Sequence, residues 1–259
     1  MFMANGVRTV PFSEREDNRE NSFNHIWTQE LDHVFADVAS YYDKANSVAS
    51  LGLWGYFRES FLSMIDLKSG QKALDVCAGT NAIGIGLLKK QPDLQVFAID
   101  RSEAMQEVGR KLASEQGLHI ESTIGDVHHL PFPDNYFDVV TLQFASRHLR
   151  VVDVFSEIKR VLKPGGHFYH SDMLRPGNKM VEKIHYIYLR MCLTVTAWIF
   201  SSGPEALNCR KYFLNALNMF YSAKELTELL SHLGFVDISC KTHMAGLLGF
   251  HKAVNGKEK

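Results

Sequence analysis

The chain has 259 residues, enough for one sizeable core, and its 46% apolar and 22% charged content is that of an ordinary globular protein. Its 28 lysines and arginines are balanced by 29 aspartates and glutamates, which leaves no broad basic footprint and excludes nucleic acid as an expected partner. No apolar run reaches the roughly 20 residues that span a bilayer. The cysteines Cys77, Cys192, Cys209 and Cys240 form neither a CxxC pair nor a disulfide framework, which fits a reducing cytoplasm.

Residues 1–22, with the charged stretch SEREDNREN, carry no apolar segment of signal-peptide type and are expected to form a flexible polar leader. A single domain is expected over 23–259. It opens with a helical cap over 23–66, where apolar positions recur at Ile26, Leu31, Val34, Phe35 and Val38 and again from Leu53 to Ile65. KALDVCAGT followed by IGIGLLKKQ predicts strand, tight turn and helix. The unit repeats with the strand LQVFAID, a helix over 102–117 capped by Ser102, and a weaker strand over 119–126. Two further strands, YFDVVTLQF and GHFYHSDM, flank the helix VVDVFSEIKRVL. This rhythm predicts an α/β fold, a doubly wound and mostly parallel sheet with added N-terminal and C-terminal helices, and its core is expected over 70–175. Beyond Pro176 the pattern predicts helices over 178–200 and 204–219, then over 221–259 a helix capped by Ser222 and stopped by Gly234, with two strands. The apolar stretch from Tyr186 to Phe200 is expected to pack on the sheet, with cover for an isoprenoid tail as the alternative.

Sheets of this kind bind ligands at the carboxyl ends of their strands. The small residues Ala78, Gly79 and Thr80 after the first strand allow backbone N–H groups to approach a ligand. Asp100 at the end of the second strand suits the two hydroxyls of a ribose. Asp126, between Gly125 and Val127, suits an adenine amine, with Val127 against the ring. Taken singly, Asp75 and Asp126 read equally well as turn caps, and it is the three strand-end acids in order that point to a nucleoside. The turn CAGTNAIG lacks GxGxxG, so a dinucleotide is disfavoured. S-adenosylmethionine has no phosphate, and its amino-acid part asks only for polar backbone and an acid such as Asp75.

On these residues the chain resembles the ubiquinone/menaquinone-biosynthesis C-methyltransferases, within the class I, Rossmann-like methyltransferases. The resemblance runs over about residues 33 to 176 and rests on HVFADVASYYDKAN, DVCAGTNA, Ala98-Ile99-Asp100, LPFPDNYFDVVT, FASRHL and RVLKPGGHF. It implies an enzyme that binds S-adenosyl-L-methionine, releases S-adenosyl-L-homocysteine and needs no metal. The implied cofactor set is Asp75, Cys77, Ala78, Gly79, Thr80, Asp100, Arg101, Met105, Gly125, Asp126, Val127 and Gln143. The family's glycines are replaced here by Ala78 and by Asn81, a residue type that tolerates left-handed backbone. Its usual Arg-Asn is Arg147-His148.

A demethylated quinol ring, of a demethylmenaquinol or a ubiquinol precursor, is the implied acceptor, methylated at carbon after loss of a phenolic proton. Arg147 is the candidate for stabilising the phenolate or orienting a basic water, against the plainer reading of a surface ion pair. Tyr42 is expected beside the methyl donor, His148 is a candidate base, and Trp54 is expected in the core, with closure of the acceptor side as the alternative. His128, His129 and His170 lack zinc-like spacing, so no metal site is expected. A small lipophilic acceptor, transient contact with a membrane from the cytoplasm and a homodimer are the partners considered. A methyltransferase for another oxygen, nitrogen or carbon acceptor is the alternative, and a non-catalytic scaffold with a degenerate cofactor site is the third reading.

Overall fold

The computed structural model describes residues 12–199 and 210–256. Seven strands, β1 (Lys72–Val76), β2 (Gln95–Asp100), β3 (Glu121–Ile124), β4 (Phe137–Gln143), β5 (Leu162–Met173), β6 (Phe235–His243) and β7 (Leu248–Asn255), form one sheet in the order β3-β2-β1-β4-β5-β7-β6. The first five run parallel, and β7 lies antiparallel between β5 and β6. From β1 the chain winds outward through β2 to β3 and then returns to place β4 on the other side of β1. That reversal opens a crevice at the carboxyl ends of β1 and β4, the expected position for a ligand.

Both faces of the sheet are buried, so its strands are apolar almost throughout. On β1, Leu74 and Val76 join one core with Phe155 and Ile158 of α7 (Val151–Val161) and Leu226 and Leu229 of α10 (Ala223–His232). Ala73 points the other way, into a second core with Phe61 of α4 (Trp54–Ser63) and Leu87 of α5 (Ala82–Lys90). The predicted caps form: Ser102 accepts from Met105 at the start of α6 (Glu103–Ser114), and Ser222 builds a full capping box with Glu225 at the start of α10.

Two expectations are corrected. Residues 12–22 are not a leader; with the next three residues they form α1 (Phe12–His25), while residues 1–11 lie outside the described residues. Glu16, Arg19 and Phe23 share one face of α1 and are buried. Arg19 Nη1 donates to Glu16 Oε1 at 2.6 Å, and Glu16 Oε2 accepts from the Val151 N–H at 2.6 Å, which caps α7 from outside its own sequence. Two of the charges that made this segment look solvated, Glu16 and Arg19, thus satisfy one another inside the protein.

The second correction concerns α8 (Lys179–Ile199), which packs on α3 (Tyr42–Ala49) and α9 (Arg210–Met219) rather than on the sheet. Half of its apolar residues face solvent. The predicted helix over 204–219 is described only from Arg210, and Cys209 and Phe200 fall outside the described residues. A π-helical turn at Ile26–Glu30 and a short 3₁₀ turn at Ala39–Tyr41 bracket α2 (Leu31–Val38), which completes the helical cap.

Candidate active site

Two cavities meet beneath the helical cap. The first, with about 890 Å³ of empty space, lies at the carboxyl ends of β1, β2 and β4. It is lined by Asp75, Cys77, Ala78, Gly79, Thr80, Asp100, Arg101, Met105 and Gln143, and also by Tyr42 and His148. The second, with about 1190 Å³, is walled mainly by apolar side chains of α2, α3, α8 and α9, with Arg147 among them. Phe35, Tyr42 and Phe144 belong to both walls, so the two spaces are neighbours across a thin aromatic partition.

The turn after β1 is shaped by backbone that only some residues accept. Cys77, Gly79 and Asn81 all have φ between 52° and 56°, in the left-handed region. Asparagine tolerates this better than other side chains, and Asn81 serves as N-cap position of α5. Gln106 of α6 braces the turn, its Nε2 donating to Gly79 O and to Asn81 Oδ1, each at 2.9 Å. The brace needs Gly109 one turn further along α6, because a Cβ there would stand 2.7 Å from Asn81 Nδ2 and 2.9 Å from the Thr80 carbonyl carbon.

The acids are held by this frame. Asp100 Oδ2 accepts from the Gly79 N–H at 2.8 Å and Oδ1 from the Ser102 N–H at 2.9 Å; burial raises its pKa despite these bonds. Asp75 Oδ1 accepts from Thr141 Oγ1 at 2.7 Å, and the Gly84 N–H in the first turn of α5 also favours the carboxylate, whereas Oδ2 is buried without a close hydrogen bond among the described residues. Burial pushes the Asp75 carboxyl up to about 7, and pushes the Cys77 thiol well above its ordinary value. Arg101 lines the cavity and also ties it to the cap, pairing with Asp32 at 2.6 Å and donating to Trp27 O at 2.6 Å.

Gly125, Asp126 and Val127 lie apart from the lining. The Asp126 side chain is 66% exposed and closes its own turn, accepting from the His128 N–H at 2.9 Å and from the His128 ring. These bonds outweigh the opposing effect of burial and hold its carboxyl below the usual range. Val127 belongs to the core.

Arg147 is no surface ion pair. Its Nη1 pairs with Asp172, whose side chain is fully buried, and Ser146 Oγ donates to the same carboxylate at 2.6 Å. The carbonyl of Arg147 accepts from Arg19 Nη2 at 2.9 Å, so α1 holds the loop from below. Tyr42 faces both cavities, and burial pushes its phenol up to about 12 although Arg147 pulls in the other direction. Burial, then Arg147 and Arg19, hold the pKa of His148 well below the ordinary value, which disfavours its protonated form. Its Nδ1 is engaged with Tyr212, while Nε2 is buried with no hydrogen bond among the described residues and the ring lines the first cavity. His170 is likewise buried within the sheet, bonded to Ser146.

Sequence reasoning missed several lining residues. Asp43 accepts from Thr80 Oγ1 at 3.1 Å and from Trp54 Nε1 at 3.0 Å, which joins the cap to the β1 turn; its place next to Tyr42 was the available signal. Trp54, expected in the core in preference to the acceptor side, lines the first cavity and stacks on Phe144 at 4.7 Å. Phe144 has φ of 57°, strain of about 1–3 kcal/mol for a bulky residue, at the position where the two cavities meet.

A doubly wound sheet with this order, carrying a strand-end cavity beside an apolar one, defines an S-adenosylmethionine-dependent methyltransferase of class I. Solved structures agree in fold: a SAM-dependent methyltransferase from Aquifex aeolicus has a TM-score of 0.53 at 21% identity, over 76% of this chain and 88% of that one. Phosphoethanolamine N-methyltransferase 2 of Haemonchus contortus, in complex with S-adenosyl-L-methionine, has a TM-score of 0.58 at 17% identity, over 80% and 53%. More narrowly, the chain belongs to the ubiE/COQ5 methyltransferase family, whose model matches residues 24–255. It is 30% identical over 226 residues to the demethylmenaquinone methyltransferase of Geobacillus sp. (strain WCH70), a match covering 86% of this chain and 95% of that protein.

Proposed function

We propose that this enzyme C-methylates the ring of a demethylated quinol, with S-adenosylmethionine in the first cavity and the quinol in the second. The observation that carries the reading is the pairing of a polar strand-end cavity with a larger apolar one holding Arg147, the two sharing Phe35, Tyr42 and Phe144. The residues of the first cavity fit the cofactor. The buried Oδ2 of Asp75 has no close hydrogen bond among the described residues and suits an ammonium, and the carboxylate oxygens of Asp100 keep lone pairs for ribose hydroxyls while holding the turn. The bound cofactor supplies an electrophilic methyl group on a sulfonium.

The chain's own residues do the rest. The Arg147 guanidinium, paired with Asp172, lines the apolar cavity, where it stabilises the phenolate that makes the ring carbon nucleophilic. Tyr42 stays protonated at neutral pH, so it serves as a hydrogen-bond donor at the border of the two cavities. Val34, Phe213, Leu214 and Leu217 exclude water and position the ring. Relatives named for demethylmenaquinone support this acceptor. The enzyme is expected to work without a metal.

The test is turnover of a reduced, short-tailed demethylmenaquinol with methyl-deuterated S-adenosylmethionine, read by mass spectrometry. Label is expected on ring carbon, resistant to hydrolysis. Arg147→Ala is expected to lower kcat by roughly 10²–10³-fold, as loss of an oxyanion donor does, with cofactor affinity within about twofold of the parent. Label on oxygen would exclude C-methylation, and unchanged turnover would remove Arg147 from the mechanism.

A further inference from the structure

The outer face of α8 is apolar, and nothing among the described residues packs on it. Met180, Ile184, Ile187, Met191, Val195 and Trp198 follow one another at steps of three or four residues, so they form a single stripe along the helix. All are exposed, Trp198 at 82%. Monomeric proteins seldom leave so long an apolar stripe in water without using it. Lys179, Lys183 and Arg190 fall along one edge of this stripe at the same helical spacing, while Glu182 is the acid of α8 and lies away from it. On the opposite side of the helix, Leu189, Cys192, Leu193 and Thr196 line the apolar cavity. Tyr188, between the two faces, donates to Ala49 O and holds α8 against the turn carrying exposed Leu51.

We infer that α8 is a membrane-docking helix that lies in the headgroup region of an anionic lipid bilayer, apolar stripe inward and basic edge on the phosphates. This rests on the proposed lipophilic acceptor: a substrate dissolved in a bilayer must be collected there, and α8 is wall of the cavity on one side and exposed apolar surface on the other. The helix cannot serve as a span, since no helix among the described residues is long and apolar enough to cross a membrane. Its 21 residues, about 1.5 Å each, instead make a rod about 30 Å long that lies flat with an apolar face and a basic edge, the pattern of an interfacial helix. The basic edge favours an anionic surface over a second copy of this chain, because antiparallel pairing of two α8 helices would set that edge against its own counterpart.

The full chain, with neither cofactor nor acceptor, is mixed with vesicles of phosphatidylcholine alone or with phosphatidylglycerol, and binding is read by flotation and tryptophan fluorescence. Three basic residues at roughly fivefold each predict about hundredfold stronger partitioning onto the anionic vesicles. A blue shift is expected on binding and should vanish in Trp198→Phe, since Trp27 is buried and Trp54 packs on Phe144. Ile184→Glu with Met191→Glu should lower partitioning at least tenfold, leave turnover of the short-tailed acceptor in solution unchanged, and slow turnover of a long-tailed acceptor held in vesicles. Failure of the parent to bind either vesicle would overturn the inference, as would a dimer in sedimentation velocity that these substitutions dissociate. Because vesicle binding requires no acceptor, either failure leaves the assignment of the reaction to its own test.

Discussion

Arg19→Met removes one half of a buried ion pair without opening a large cavity. Arg19 and Glu16 are both fully buried; the guanidinium also lies 5.0 Å from the Phe220 ring and donates to the Arg147 carbonyl. The substitution strands the Glu16 carboxylate among apolar neighbours with two donors left, Val151 N–H and Tyr221 OH. Breaking one side of a buried pair costs about 3–5 kcal/mol, and the two remaining donors argue for the lower end, about 3 kcal/mol. Against a total stability of about 5–15 kcal/mol that is a large share, and at about 2–4 °C per kcal/mol it lowers Tm by about 6–12 °C. Urea unfolding followed by circular dichroism measures it. Adding Glu16→Gln in the same chain removes the stranded charge and should recover at least about 1 kcal/mol. The single variant should also lose kcat more than cofactor affinity, because the loop carrying Arg147 loses its support. A loss below about 1 kcal/mol, or a double variant less stable than Arg19→Met, would refute the assignment of α1 as an integral part of the core.

Asp75 predicts a pH dependence. Its carboxyl is raised from 3.8 to about 7 by burial, so the folded protein holds a proton that the unfolded chain releases, and the stability contributed by this group is lost as pH rises through about 7. An ammonium placed on Asp75 favours the carboxylate. Cofactor binding should therefore release a proton below pH about 7, tighten by up to about tenfold per pH unit and level off above it. Calorimetry in two buffers of different ionisation enthalpy detects the proton, and Asp75→Asn should abolish it; affinity independent of pH would contradict the assignment. Gly109→Ala pushes a methyl group into Asn81 and the Thr80 backbone. It should cost about 1–3 kcal/mol in stability and weaken cofactor binding severalfold, and retention of full affinity would show that the turn tolerates displacement of α6.

The fold class was legible in the sequence because it rests on short-range physics, whereas the family and the reaction class came from the resemblance carried by motifs such as LPFPDNYFDVVT and RVLKPGGHF. Strand and helix periodicities, the Ser102 and Ser222 caps and the left-handed Asn81 each depend on residues within a turn or two. The strand-end acids Asp75 and Asp100 were found for the same reason, since strand ends locate the crevice. What the tertiary structure alone decided involves partners far apart in the chain. Arg19 meets Arg147 across 128 positions and Asp43 meets Thr80 across 37, and no local pattern distinguishes a charge with such a partner from a solvated one. Hence α1 looked like a polar leader. Asp126 bonds to His128 two positions along, the turn contact that its sequence allowed when taken singly. The apolar sequence of α8 announced burial, but whether each side of a helix meets protein, a cavity or solvent is set by the elements packed around it, and among the described residues α3 and α9 cover one side.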